Sequence, residues 1–183
     1  MNPISYWQRL KVAFQYVMPQ IYMTQAAGWL AKQKWGAVTH FVIKAFAKKY
    51  NIDMSIAEKE KFSDYASFNE FFIRPLKENA RPINQNPTAL CCPADGRVSE
   101  CGHIEDDRLL QAKGHFFSLH DLLAEDKDLT ETFKNGEFVT TYLSPRDYHR
   151  VHMPCDGTLR KMIYVPGDLF SVNPFLAKHV PNL

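Results

Sequence analysis

No carboxylate side chain occurs before Asp53, and within that acid-free stretch Trp7, Leu10, Phe14 and Val17 recur at i, i+3, i+7 and i+10. That spacing puts the four on one face of a helix, with Arg9 and Lys11 pointing elsewhere. Pro19 lacks the amide proton that a continuing helix needs, so it breaks or kinks the first segment. A second segment, about Ile21 to Lys34, and a third, about Ala37 to Lys49 with Val38, Phe41, Val42, Ala45 and Phe46, repeat the pattern around Gly28 and Gly36. The opening of the chain therefore reads as three short amphipathic helices.

Seven Lys/Arg fall in residues 1–50, which leaves 15 of the 22 bases to face 20 acids in residues 51–183. A basic head thus precedes an acidic body. The head also carries ten aromatics, among them Tyr6, Trp7, Phe14, Trp29 and Trp35. Trp and Tyr favour the headgroup level of a bilayer, and Lys and Arg favour anionic lipid, so residues 1–50 are expected to form a helical region that contacts a phospholipid membrane. The competing reading is that these faces pack on the rest of the protein or on a partner subunit. Nucleic acid is not expected, because the bases are spread around the helices and no nucleic-acid-binding motif accompanies them. No apolar run approaches the roughly 18–20 residues of a spanning helix. Four cysteines without C-x-x-C spacing, and no compact apolar leader at the start, favour reduced thiols and a peripheral position on the cytoplasmic face of the cell membrane.

Residues 51–183 read differently. Phe68, Phe71 and Phe72 give a helical segment over Tyr65–Leu76, with Ser67 and Glu70 spaced as a capping box and Pro75 as the stop. Beyond an Asn- and Pro-rich loop come short β-like runs at Ala89–Cys92, Arg97–Ile104, Arg108–Ala112, Glu137–Leu143 and Thr158–Val165, with a short helix at His115–Leu123. Asn135-Gly136 and Asp156-Gly157 mark turns, and Pro166-Gly167 ends the last run. The expected fold is α+β: amphipathic helices, then a mainly antiparallel, barrel- or sandwich-like β body that is incomplete at its C-terminal end.

Chemistry concentrates in Pro93-Ala-Asp95-Gly96 and in Ser144-Pro-Arg-Asp-Tyr-His149-Arg-Val-His152, with Lys113-Gly-His115 a lesser feature. Two imidazoles three residues apart converge in a turn or helix and diverge in a strand. An imidazole exchanges protons near neutral pH, and a carboxylate such as Asp95 can fix its tautomer. With a serine hydroxyl these groups make an Asp-His-Ser relay; without one they remain open to a purely structural reading. The same three residues are also a weak candidate for a facial metal triad, though no fourth ligand is evident and no metal site is assigned. No phosphate loop or dinucleotide fingerprint is present.

The segments Tyr142-Leu-Ser-Pro-Arg-Asp-Tyr-His149-Arg-Val-His152-Met-Pro and Pro93-Ala-Asp95-Gly96 resemble the His and Asp motifs of bacterial phosphatidylserine decarboxylases. Phe68-Asn-Glu-Phe-Phe-Ile-Arg-Pro-Leu76 and Tyr164-Val-Pro-Gly-Asp-Leu-Phe-Ser-Val-Asn173 are similar to members of that family in the same order. The resemblance implies conversion of phosphatidylserine to phosphatidylethanolamine and CO2 by a pyruvoyl group, made when a precursor cuts itself at a Gly-Ser bond. It implies that Asp95 and His152 belong to the self-cleavage triad, and that His149 serves decarboxylation as proton donor or Schiff-base partner. It also implies a partial catalytic domain over residues 51–183 and a partner subunit that bears the pyruvoyl group; a homodimer is left open.

One departure matters. None of the eight glycines is followed by serine. The chain therefore lacks the serine that becomes the cofactor, and the resemblance leads us to expect a truncated form that is inactive alone. A membrane-surface binding module without catalysis is the alternative.

Overall fold

The computed structural model describes residues 5–112 and 115–180; Lys113 and Gly114 of the Lys-Gly-His feature lie outside them. The fold is α+β, and its elements divide between two units: Gln25–Arg97 with Leu143–Arg160, and Met1–Thr24 with Val98–Tyr142 and Lys161–Leu183.

Three helices open the chain, as the spacing predicts: α1 (Tyr6–Val17), α2 (Gln20–Lys32) and α3 (Ala37–Tyr50). Ser5 begins α1 with a capping box, its hydroxyl accepting from the Gln8 amide while the Gln8 side chain accepts from the Ser5 amide. Pro19 separates α1 from α2. Asn51 ends α3 in the left-handed region at φ 51°, a conformation that Asn tolerates better than other non-glycine residues.

In the Gln25–Arg97 and Leu143–Arg160 unit, α3 packs against a 3₁₀ turn at Phe62–Asp64 and a short helix α4 (Phe68–Phe72). Ile43, Ala47, Tyr65 and Phe71 form the buried centre, edged by Phe46, Phe62 and Phe68. The expected helix over Tyr65–Leu76 is shorter than its apolar spacing suggests. Ser67 takes the cap position, its hydroxyl accepting from the Glu70 amide, so helix begins only at Phe68. Arg74 precedes Pro75, which disfavours helical backbone, and the helix stops at Phe72. The Glu70 carboxylate reaches past the cap to the Ala66 amide and to Lys59, so the reciprocal half of the capping box is not made.

The other unit contains two separate two-stranded ribbons. Strands β1 (Arg97–His103) and β4 (Glu137–Tyr142) make one; β2 (Arg108–Ala112) and β3 (His115–Ser118) make the other. In the first, the Ile104 amide donates to Gly136 and the Ser99 hydroxyl to Thr140, an antiparallel sense. In the second, Leu109 faces Phe117 and a register shift falls between Leu110 and Ala112. Ile104, Leu109 and Leu119 are its buried centre, with Phe117, Leu123 and Phe138 at the edge. Helices α5 (Leu119–Leu122), α6 (Lys127–Phe133) and α7 (Pro174–Ala177) complete the set. The Asn135-Gly136 turn follows α6: Asn135 has φ 59°, and a β-carbon on Gly136 would stand 2.9 Å from the Phe133 carbonyl oxygen.

No closed barrel forms among the described residues, and the two antiparallel ribbons are compatible with the sandwich-like form of the expected body. Two other expectations change. His115–Leu123 splits into β3 and α5, because Ser118 caps the helix through the Asp121 amide and leaves the preceding residues to pair with β2. Ala89–Cys92 and Thr158–Val165 lie in no strand. A strand draws its hydrogen bonds from a neighbour, and Leu159, Met162 and Tyr164 stand exposed without one.

Candidate active site

The segment carrying His149 and His152 begins with a tight turn. Both the amide and the hydroxyl of Ser144 donate to Asp147 Oδ2, at 2.6 and 2.7 Å, and the Asp147 amide returns a bond to the Ser144 carbonyl. That carbonyl accepts a second bond from His149 Nε2 at 2.9 Å. A carbonyl oxygen only accepts, so the proton of a neutral His149 resides on Nε2 and Nδ1 presents a lone pair. No described residue bonds Nδ1. The ring lies over Phe72, with centroids 4.2 Å apart and planes 29° from parallel.

His152 is exposed and turns Nε2 toward the hydroxyl of buried Tyr148, at 3.0 Å, with the two rings stacked. Its main chain meets the Asp motif directly. The His152 amide donates to the Pro93 carbonyl at 2.7 Å, and the Cys91 amide donates to Pro154 at 2.9 Å. The two sequence motifs that attract notice are thus joined through their backbones.

Asp95 does not bond either histidine. Its carboxylate pairs with Arg81 through three contacts of 2.5 to 3.1 Å. The hydrogen bond to Asp95 raises the Arg81 pKa above its ordinary value. A second guanidinium, Arg74, is 2% exposed and donates from Nη2 to the Arg146 carbonyl at 3.4 Å, while Nε and Nη1 have no partner among the described residues. Burial pushes its pKa down, opposed by the negative charges of Tyr65, Asp95 and Asp147 when these groups are ionised.

Sequence reasoning located Asp95, His149 and His152 but not Arg81, Tyr148, Phe72 or Arg74. Tyr148 stands four residues before His152, a spacing that reads as any helical or turn contact. Phe72 and Arg74 lie in the 68–76 segment that resembles the family, but nothing local in the sequence ties them to the histidines, and nothing marks Arg81. His115 bonds the Lys178 carbonyl, in the unit that does not contain His149 and His152. No group of three or more metal-ligating side chains is assembled among the described residues.

Known proteins share the sequence of this chain along most of its length. The phosphatidylserine decarboxylase family model matches residues 68–183, and a model described as PSD matches residues 10–51. The chain belongs to the phosphatidylserine decarboxylase family. It is 89% identical, over its whole length, to the phosphatidylserine decarboxylase proenzyme of Haemophilus influenzae, covering 63% of that protein. It is 79% identical over 180 residues to the Pasteurella multocida proenzyme and 76% over 179 residues to that of Histophilus somni, covering 61% of each. The chain therefore spans somewhat over three-fifths of the length of these phosphatidylserine decarboxylase relatives. Within the family match lie Asp95, His149 and His152, and also Phe72, Arg74, Arg81 and Tyr148.

Proposed function

We propose that this chain supplies the proton-handling part of a pyruvoyl-dependent phosphatidylserine decarboxylase. The observation that carries the reading is the bond from the His152 amide to the Pro93 carbonyl, which fastens the His motif to the Asp motif. His149 then offers an Nδ1 that no described residue bonds, on a half-buried ring, a fit for a group that must give or take a proton. A pyruvoyl carbonyl, when present, supplies the electron sink that loss of CO2 from an amino acid demands. The 183 residues contain no Gly-Ser bond, so in this reading that group arrives on a partner segment corresponding to the part of the relatives that the chain does not match. Asp95 and His152 are the acid and imidazole that act on its serine during self-cleavage. For that role Asp95 must exchange Arg81 for His152.

The substrate in this reading is phosphatidylserine in a membrane, approached from the cytoplasmic face. Support comes from the head: α1 and α2 bury no residue, Trp7 and Tyr22 are about three-quarters exposed, and acids are absent. No helix among the described residues is long and apolar enough to cross a membrane. Part of the α1 face, Trp7, Leu10 and Phe14, lines a cleft of about 380 Å³ together with Phe175 and Leu176. That proximity favours in part the packing alternative, and a membrane-surface module without catalysis remains the second reading.

The test is complementation. The chain, mixed or co-expressed with the remaining segment of the Haemophilus influenzae relative, is expected to form phosphatidylethanolamine in vesicles, and His149→Ala is expected to abolish it. Turnover by the 183-residue chain alone, or full turnover with His149→Ala, would overturn the reading.

A further inference from the structure

We propose that Phe72 is a positioning residue for His149, and that Nδ1 is the nitrogen through which His149 exchanges its proton. The inference rests on the reading of His149 as a proton-handling group. It is carried by three contacts made by consecutive residues at the end of α4. Phe72 covers one face of the His149 ring at 4.2 Å. The Ile73 carbonyl accepts from Arg150 Nε at 2.7 Å, one residue beyond His149. Arg74, buried, reaches the Arg146 carbonyl three residues before it. The histidine is held on its ring, and the segment that bears it is tied on one side through the Arg150 side chain and on the other through the Arg146 carbonyl, all to one short stretch of chain.

The grip decides which nitrogen is available. The stack fixes the ring plane, and within that plane the Ser144 carbonyl stands 2.9 Å from Nε2. Rotating the ring by half a turn would place Nδ1 on that side and break the only bond the imidazole makes among the described residues. A hydrogen bond of this kind biases the tautomer by roughly two- to tenfold, and the stack, which favours neither tautomer by itself, acts by holding the ring where that bond forms. Phe72 is half-buried, so it can be altered without emptying the core in which Phe71 stands.

The groups facing this ring are few. Ser144 and Asp147 line the turn, Arg146 and Arg150 flank it on the same segment, and Phe72 and Arg74 approach from α4. Asp147 is engaged with Ser144 and with Arg146 Nε at 3.6 Å, and no carboxylate among the described residues bonds Nδ1.

The experiment is an ¹⁵N spectrum of the histidine side chains of the 183-residue chain at a pH where His149 is neutral. The expected wild-type result is a dominant Nε2-protonated form. In Phe72→Leu, folded by circular dichroism, that preference is expected to fall by roughly fivefold, within the range of the Ser144 hydrogen bond that an unheld ring loses, and Phe72→Tyr is expected to restore it. Arg74→Lys tests the backbone side of the grip, with a smaller loss expected. An Nδ1-protonated His149 in the wild type, or an unchanged ratio in folded Phe72→Leu, overturns the proposal. The readout is a tautomer ratio rather than turnover, so a chain that never decarboxylates and a ring that is not held are told apart.

Discussion

The Arg81 guanidinium lies in a fork on the Asp95 carboxylate, with Nε 2.8 Å from Oδ1 and Nη2 2.5 Å from Oδ2. Both carboxylate oxygens are therefore committed to a cation, and His152, tied through its own amide to the neighbouring Pro93, bonds Tyr148 instead. The acid and the imidazole are neighbours along joined backbones with their side chains paired elsewhere. Arg81→Gln is expected to release Asp95 toward His152. Arg81 is about half exposed, so screening limits the cost in stability to at most about 1 kcal/mol. A structure of the variant checks this; a carboxylate that still points at position 81 would count against it.

Phe71 has no exposed surface and centres the cluster formed with Ile43, Ala47 and Tyr65. Phe71→Ala is expected to destabilise the chain by about 3–5 kcal/mol, through lost apolar burial and the cavity left behind. Urea unfolding followed by circular dichroism measures it. Since Phe71 adjoins Phe72, the loss should also blur the His149 tautomer preference.

Glu70 supplies a pH dependence whose sign is fixed. The Lys59 hydrogen bond, followed by the Ala66 amide, holds its carboxyl below the ordinary 4.5. A depressed folded pKa contributes stability that is fully present above about pH 4.5 and is lost as pH falls through the lower folded value. Glu70→Gln is expected to flatten the acid limb of a plot of thermal midpoint against pH. An unchanged slope below about pH 4.5 would refute the assignment.

Membrane contact by the head makes a quantitative claim. Each base near an anionic surface contributes about 1 kcal/mol, or roughly fivefold in partition. Lys11→Gln and Lys32→Gln are each expected to weaken flotation with anionic vesicles by about that factor and to leave neutral vesicles unaffected. Trp7→Ala is expected to reduce both. Binding indifferent to all three substitutions would favour the packing alternative.

The elements legible in the sequence are those whose hydrogen bonds are local. The break at Pro19 and the Ser67 cap follow from short-range chemistry, and they appear where residue type places them. Thr158–Val165 has the composition of a strand, but a ladder needs a second chain segment, which composition cannot provide. Helices α6 and α7 escaped notice because they are short and weakly periodic, held mainly by Asp126 and Asn173 at their starts. The site divides in the same way. Its histidines and Asp95 stand in recognisable motifs, whereas Arg81 and Phe72 reach them from elsewhere in the chain, a relation visible only in three dimensions.

The oxygen that orients His149 belongs to the main chain of Ser144. No codon at position 144 can delete it. Drift in sequence can strip away the hydroxyl of that serine, or even the carboxylate of Asp147, and still leave an acceptor in every descendant. The inherited vulnerability of this histidine therefore sits elsewhere, in the aromatic ring at position 72, where a single nucleotide change from Phe to Leu is enough to loosen it.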